Sequence, residues 1–456
     1  MLKKTIYLFT ILSVLATMGF GCKGLTAEQQ AAIKPVTLNY WTVFNDTGQL
    51  AKFAEGYKKI LPYVTINIKQ VRVDEFEKMF TNALAEDIAP DVVSINARDI
   101  RKYQSKLAEM PADIKVSNVT VKGGQFSQQT VVTTETKNMP SAGFVKSSFI
   151  STVYNDAVIS GKIYGLPIAM DTMAIYYNRD LLDQAGISEP PKTWDDFMKA
   201  AKAGTRFNDK GDIIQSGVAL GTSKNIPRAF DILSLLMMQS GVKMTQGGYV
   251  NFANGVESAG AKHPAVTALR FYTDFAQPTK EVYAWNDKMG DALEAFTRGQ
   301  AVFYFGFAYD YPKIKSRAPQ LNIEVMPMLQ LNEKAPANVA NYWLETVVKK
   351  SKHQNEAWDF VMFMTKPENI KKYCEATIHP TPLRSQINDQ KENAAIAPFA
   401  SQVLNAENWY RGKDSATAEK AFGDLITNYL LSTAGEQKQT DSALLQYAAQ
   451  VAQQTM

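Results

Sequence analysis

The chain has 456 residues, of which 45% are hydrophobic and 21% charged; 49 Lys plus Arg against 45 Asp plus Glu give a formal net charge of +4. So apolar a chain is not disordered, and so even a charge balance argues against nucleic-acid binding. The length exceeds a usual single core and predicts two domains, while two cysteines (Cys22 and Cys374) and three histidines exclude a disulfide framework and a cysteine-rich zinc site.

Lys3 and Lys4 precede an apolar run from Ile6 to Phe20, the basic-then-apolar order of a secretory leader over residues 1–21. The run falls short of the roughly 20 residues a bilayer-spanning helix needs. It ends in Gly19-Phe20-Gly21-Cys22, small residues before a cysteine, which resembles the lipobox of bacterial lipoproteins although Gly19 stands where Leu is preferred. The resemblance implies cleavage before Cys22 and lipid on its thiol; the alternative is an ordinary leader with Cys22 incidental. Gly19-x-Gly21-x-x-Gly24 matches a dinucleotide fingerprint only formally, since no strand-turn-helix unit surrounds it. Loss of Lys3 and Lys4 with the leader would bring +4 to about +2. Residues 22–35 read as a tether.

Val36 to Thr42 alternates as a strand, and Leu50, Phe53, Tyr57 and Ile60 mark a helix that Pro62 stops. Val64 to Lys69 is a second strand, Phe76 to Leu84 a helix, and Val92 to Ile95 a short apolar strand after the turn Ala89-Pro90-Asp91. Strand-helix-strand-helix-strand is the α/β pattern. Residues 116 to 146, rich in Thr, Gln, Ser, Lys and Gly, read as an irregular or weakly stranded insertion. Strands are predicted at 163–167, 173–177, 301–305, 321–327 and 343–348. Helices are predicted near 194–204, 229–240, 265–277, 289–298, 353–365, 416–431 and 439–453. With strands separated by helices rather than hairpins, a β-sandwich and an all-helical chain are disfavoured.

No phosphate loop and no nucleophile elbow is present. His263, His353 and His379 lie far apart and form no metal-ligand spacing; the first two read as solvent-facing, and His379 as structural or near a cleft. Cys374 reads as a buried, inert thiol. No cofactor or metal is expected, and no carboxylate pair stands out for catalysis.

Aromatic residues are abundant, with 23 Phe, 20 Tyr and 6 Trp. Several sit beside short polar residues at predicted strand ends: Asn39-Tyr40-Trp41-Thr42, Tyr283-Ala284-Trp285-Asn286, Phe307-Ala308-Tyr309-Asp310 and Asn341-Tyr342-Trp343. A sugar ring offers an apolar C–H face to an aromatic plane and a rim of hydroxyls to Asp, Asn, Gln and Arg. The same aromatics also suit domain-interface packing.

Tyr164-Gly165-Leu166-Pro167 through Asp171 to Tyr176-Tyr177-Asn178-Arg179-Asp180-Leu181-Leu182 resembles the extracellular solute-binding proteins of ABC importers, in the sugar-binding family that includes the maltose-binding protein. Gly186-Ile187, Pro190-Pro191, Thr193-Trp194-Asp195-Asp196-Phe197, Ala89-Pro90-Asp91-Val92-Val93, Phe296-Thr297-Arg298-Gly299-Gln300-Ala301, Ser351-Lys352 and Ala357-Trp358-Asp359-Phe360 extend the resemblance over nearly the whole chain after the leader. It implies a periplasmic-binding-protein-like fold, two α/β lobes joined by a hinge with a ligand cleft between them. One lobe would hold 36–170 and 321–365, the other 171–320 and the helical 366–456. Where the family often has Gly-Pro-Trp, this chain has Gly306-Phe307-Ala308, so Tyr309 or Trp285 would take the stacking role, or the ligand differs.

The implied function is that of a monomeric, lipid-anchored receptor that hands a sugar or oligosaccharide to the transmembrane subunits of an ABC permease, at the periplasmic or outer face of the membrane. The resemblance implies a binding protein and not an enzyme. Trp41, Trp285, Tyr309 and Trp343 would stack, Asp91 and Asp171 would accept hydroxyl protons, Asn45 would donate and accept, and Arg384 would donate to a ring or glycosidic oxygen. Asp91 alternatively caps a turn, and Arg384 alternatively makes a surface ion pair. Two other readings stay open: a binding protein for an amine, anion or peptide, and an exported polysaccharide-acting enzyme with a carboxylate pair about 5 to 10 Å apart.

Overall fold

The computed structural model describes residues 25–122 and 129–456. The leader 1–21, Cys22 and the Gly19–Gly24 pattern lie outside the described residues. The chain divides into two compact units, each an α/β assembly. Among the described residues no helix is long and apolar enough to cross a membrane. Thr26 caps the exposed helix Ala27–Ala32 in a reciprocal capping box with Gln29, so part of the tether is helical.

The first unit takes in the described residues up to Val93, with Met110–Met139 and Lys350–Phe363. Its central strand Val36–Thr42 pairs in parallel with Val64–Gln70 over its full length and with Val92 and Val93 through Tyr40 and Trp41. Parallel strands need crossovers, and the helices Thr47–Ile60 and Val73–Ala85 supply them. Asp46 caps the first by accepting the Gln49 N–H at 2.8 Å, worth about 1 kcal/mol. The predicted stripe Leu50, Phe53 and Tyr57 is the buried face, whereas Ile60 is exposed. Tyr57 packs against Phe360 and Phe363 of the helix Gln354–Met364, with ring centroids 5.1 and 5.4 Å apart. Its hydroxyl donates to Asp359 at 3.0 Å.

The segment expected to be irregular or weakly stranded contains a regular antiparallel strand pair, Asp113–Lys122 against Gln129–Asn138, followed by the helix Ala142–Ser148. The strands are rich in Val and Thr, and Thr, polar but β-branched, suits a pleated surface. The hairpin is tied down by the Lys137–Asp359 ion pair at 2.9 Å and by the Ser117 N–H donating to the Tyr63 hydroxyl at 3.1 Å.

The second unit comprises Ser94–Glu109, Pro140–Lys349 and Met364–Met456. Its five-stranded sheet runs Arg206–Phe207, Ile213–Val218, Ala301–Gly306, Ala174–Asn178, Ile323–Pro327 in spatial order. Ile213–Val218 and Ala301–Gly306 are parallel, while Ala174–Asn178 is antiparallel to both of its neighbours. Ala301–Gly306 and Ala174–Asn178 are buried at every position, which is why they read as unbroken apolar runs. Trp194, at the start of the helix Trp194–Gly204, packs on Phe197, Phe271 and Phe305. The helix Ala229–Gln239 is buried all round, and Ser415–Thr433 and Asp441–Gln454 close the unit.

Three further expectations are corrected. Of the strand predicted at 163–167 only Lys162–Ile163 is stranded, paired with Val158–Ile159, while Leu166 makes an isolated bridge to Glu345. Hairpin pairing is present as well as helical crossovers, at 113–138 and at Thr245–Val250. His263 is buried rather than solvent-facing: its Nδ1 accepts the Ala265 N–H at 3.2 Å as the cap of the helix Pro264–Asp274, and its Nε2 meets the Asn254 carbonyl at 3.0 Å. His353 is half-buried.

Candidate functional site

In the first unit three nominated residues lie on or beside the parallel sheet. Trp41, near the end of Val36–Thr42, is half-buried with the Lys69 ammonium 4.8 Å from its ring centroid. Asn45 follows that strand, is buried, and donates through Nδ2 to the Tyr40 hydroxyl at 3.1 Å. Asp91 has both carboxylate oxygens engaged: Oδ2 accepts the Asn39 N–H at 2.9 Å and Oδ1 accepts the Ser351 hydroxyl at 2.6 Å. It therefore ties two segments together.

The second unit gathers a denser constellation around the turn between the strand Ala301–Gly306 and the helix Asp310–Arg317. Asp171, buried in the short strand Asp171–Thr172, points its carboxylate at this turn. It accepts the N–H of Ala308 at 2.8 Å and of Tyr309 at 3.2 Å, besides that of Thr172 at 2.9 Å. His379 Nε2 lies 3.9 Å away and its Nδ1 meets the Thr377 carbonyl at 2.8 Å, so His379 has a structural partner and borders the constellation. Asp310 closes the turn from the other side, accepting the Phe307 N–H at 3.2 Å and the Tyr304 hydroxyl at 3.3 Å. Gly306 is required by close approach: a Cβ there would sit 2.5 Å from Tyr304 Cε1, 2.9 Å from Asp310 Oδ2 and 3.2 Å from Tyr176 Cε2.

Tyr309 is half-buried, with its ring stacked on Phe307 at 5.8 Å and 20°. Arg228 donates to its hydroxyl, and the guanidinium carbon lies 5.2 Å from the Phe307 centroid and 5.4 Å from that of Tyr309. The Lys313 ammonium stands 4.3 Å from the Tyr309 centroid. Burial pushes the Asp171 carboxyl well above the usual range, with the backbone N–H groups opposing and the nearby Asp310 charge reinforcing the rise. Burial likewise raises Asp310, against the pull of Arg228 and Lys313. Lys313 is lowered by burial, which Asp310 partly offsets.

The other nominated residues stand elsewhere in this unit. Trp285 is fully buried and its indole N–H donates to Asn225 at 3.0 Å, so it packs inside the unit. Trp343 is half-buried at the head of the strand Trp343–Val347. Arg384 is exposed but engaged, donating to the Phe149 carbonyl and the Ser151 hydroxyl at 2.7 Å each. Neither of its two readings, ligand donor or surface ion pair, names these partners. Cys374 is fully buried, its thiol is pushed up by burial, and its sulfur lies near the Ile168 and Pro380 carbonyls.

Sequence reasoning missed Arg228, Lys313 and a second ionic cluster. Arg98 bonds to Asp231 and Glu419 at 2.5 Å each, with its guanidinium 4.8 Å from the Phe230 centroid, and Phe230 stacks on Trp409. Burial works against the charge on Arg98, but the two carboxylates more than offset it and raise its pKa. A basic residue at the foot of the fully buried, mainly apolar helix Ala229–Gln239, after Pro227, was the available signal for Arg228. Among the described residues no group of three or more His, Cys, Asp or Glu is arranged to hold a metal ion.

Comparison with known proteins places this geometry. Solved structures with the same fold include a cyclo/maltodextrin-binding protein complexed with maltotetraose, at TM-score 0.68 and 16% identity over 92% of this chain and 97% of that one. The GacH receptor of Streptomyces glaucescens aligns at TM-score 0.66 and 18% identity, covering 92% and 98%. Among curated relatives, the multiple sugar-binding protein of Streptococcus mutans is 23% identical over 289 residues, 61% of this chain and 64% of that protein. The galactooligosaccharide-binding protein of Bacillus subtilis is 24% identical over 256 residues, 54% and 58%. The chain thus spans about three fifths of the length of the curated relatives it matches. The family model described as bacterial extracellular solute-binding protein matches residues 71–398, well over half of the chain. The two α/β units are those of the periplasmic-binding-protein fold, and the chain belongs to the bacterial extracellular solute-binding proteins, a non-catalytic class.

Proposed function

We propose that this protein captures a sugar or oligosaccharide outside the cytoplasm and delivers it to the transmembrane subunits of an ABC importer. The observation that carries the reading is the family match over residues 71–398, joined by relatives named for binding sugars and galactooligosaccharides. The aromatic and polar residues of both units support it, since a carbohydrate needs ring faces beside hydrogen-bonding groups. In this proposal Tyr309, Trp41 and Trp343, each half-buried, offer ring surface, and Asn45 offers an amide. Asp171 and Asp91 act mainly by holding backbone in place, because their oxygens already accept N–H and O–H groups. Trp285 supports the site from within the core, and Arg384 from the surface.

We further propose that Cys22 carries a lipid anchor and that the receptor works as a monomer on the outer side of the membrane. The leader pattern of Lys3, Lys4 and Ile6 to Phe20 ahead of Gly21-Cys22 supports the anchor and the export. Isothermal titration with a glycan panel tests the transport reading: saturable one-to-one heat without product formation is expected. Heat with an amine or peptide and none with any glycan sinks the sugar assignment. Labelling of the protein by an azido fatty acid in cells, lost in Cys22→Ser, tests the anchor.

A further inference from the structure

We infer that Asn341 is a ligand-binding residue whose side-chain amide donates to an oxygen of the sugar bound beside Tyr309; the inference rests on the carbohydrate reading and deepens it by one specificity-determining contact. Asn341 opens the stretch Asn341-Tyr342-Trp343, of which only Trp343 was nominated, as a ring.

Asn341 ends the strand Asn338–Asn341 and lies directly across from Asp171 in the antiparallel pairing with Asp171–Thr172. Residues opposed in this way carry their side chains on one face of the sheet. Asn341 therefore shares a face with the carboxylate that holds the Ala308 and Tyr309 N–H groups. Its amide is also braced. Asn96 Nδ2 donates to Asn341 Oδ1 at 3.1 Å, and the Arg98 N–H donates to Asn96 Oδ1 at 3.0 Å. This chain of bonds fixes the sense of both amides. Asn96 spends its oxygen on the backbone N–H and offers nitrogen to Asn341, so the Asn341 oxygen is used and its NH2 group is left over.

Asn341 is 7% exposed, and its Nδ2 is buried without a hydrogen-bond partner. A buried donor with nothing to bond is costly, and nearly all such groups in folded proteins are paired. Among the described residues four other buried side-chain atoms share this state. Thr152 and Ser216 carry hydroxyls, which donate and accept alike. Trp358 is fully buried in the first unit, and Arg98 Nε belongs to a guanidinium whose other two nitrogens are on Asp231 and Glu419. Of the five, Asn341 alone combines a braced amide, an unused NH2 group and a place across from Asp171. An NH2 group donates and accepts nothing, so an acceptor completes it: a hydroxyl, ring or glycosidic oxygen of a sugar. The last torsion of an asparagine side chain is broad, so Nδ2 can turn toward such an oxygen while the rest of the side chain stays in place. Asn96 is half-buried, so the amide pair reaches the surface.

The experiment is titration calorimetry of the full chain with neutral oligosaccharides (maltotriose, galactotriose, raffinose and arabinotriose) for the parent, Asn341→Leu and Asn341→Asp, with urea unfolding of each. Whichever glycan binds the parent is expected to bind both variants at least about tenfold more weakly. Asn341→Leu keeps the branched shape and removes the unpaired donor, so its urea midpoint is expected to equal or exceed the parent's. Asn341→Asp keeps an oxygen for Asn96 and sets an acceptor where the NH2 group stood, so it is expected to lose binding while the bond from Asn96 remains. Glycan affinity unchanged in both variants, or lost only in step with a fallen urea midpoint, overturns the role of Asn341 and leaves the carbohydrate reading standing. Silence of the parent with every glycan overturns both.

Discussion

Replacing Asp171 distinguishes a carboxylate that holds backbone from one that holds ligand. In Asp171→Ala the N–H groups of Ala308, Tyr309 and Thr172, now at 2.8, 3.2 and 2.9 Å from carboxylate oxygens, lose their acceptor inside the protein. A buried donor left unpaired costs about 1–3 kcal/mol. Three such groups suggest a gross loss of up to roughly 9 kcal/mol. Water entering the vacated space and relief of the burial that raises the Asp171 carboxyl offset much of it, so a net loss of about 2–4 kcal/mol is expected. Asp171→Asn keeps one oxygen acceptor and should lose about half as much. Urea unfolding followed by far-ultraviolet circular dichroism measures both. If Asp171→Ala unfolds within 0.5 kcal/mol of the parent, about the size of an ordinary surface substitution, the turn-holding role is wrong. Weakened ligand binding at unchanged stability would make Asp171 a direct ligand acceptor.

Gly306→Ala should cost about 1–3 kcal/mol by overpacking, since its Cβ would meet Tyr304, Asp310 and Tyr176 at once, and a urea midpoint equal to the parent's would contradict that packing. Cys374 should resist iodoacetamide in the native protein at pH 8 and react fully in urea, as read by peptide mass mapping, because it is buried and burial pushes its thiol up. The raised Asp171 carboxyl makes stability pH-dependent with a definite sign. The folded state keeps a proton that the unfolded chain has released, so stability from this group falls as pH climbs from the ordinary carboxylate range through the folded value. The urea midpoint should therefore drop more steeply between pH 4 and pH 8 in the parent than in Asp171→Asn, and parallel slopes would contradict the assignment.

Much of the fold was legible because one-dimensional pattern carries it. Leu50, Phe53 and Tyr57 recur at helical spacing and are the buried face of Thr47–Ile60, and the unbroken run Ala301–Phe305 is a strand buried on both sides. The hairpin around 113–138 was obscured because Thr counts as polar in a hydrophobic pattern while its branched Cβ favours a strand. His263 was misread because its capping role depends on backbone N–H groups and the distant Asn254 carbonyl. The site divides in the same way. Asp171 and Tyr309 were visible as a carboxylate after a family-like motif and an aromatic at a strand end. Their meeting joins segments more than a hundred residues apart, which no local pattern encodes. Arg228 carried only the weak local signal of a basic residue at a helix start, since what sets it apart is its bond to Tyr309, 81 residues later. Trp285 looked like its aromatic neighbours in sequence, and only burial separates it from Trp41 and Trp343.

The central claim, that this solute-binding protein takes up carbohydrate, is tested most directly by titration calorimetry of the purified chain against neutral and acidic oligosaccharides, amines and peptides under one set of conditions. The account predicts saturable one-to-one binding of an oligosaccharide, recovered unchanged afterwards. Binding confined to an amine or a peptide, with no heat from any glycan, would contradict it.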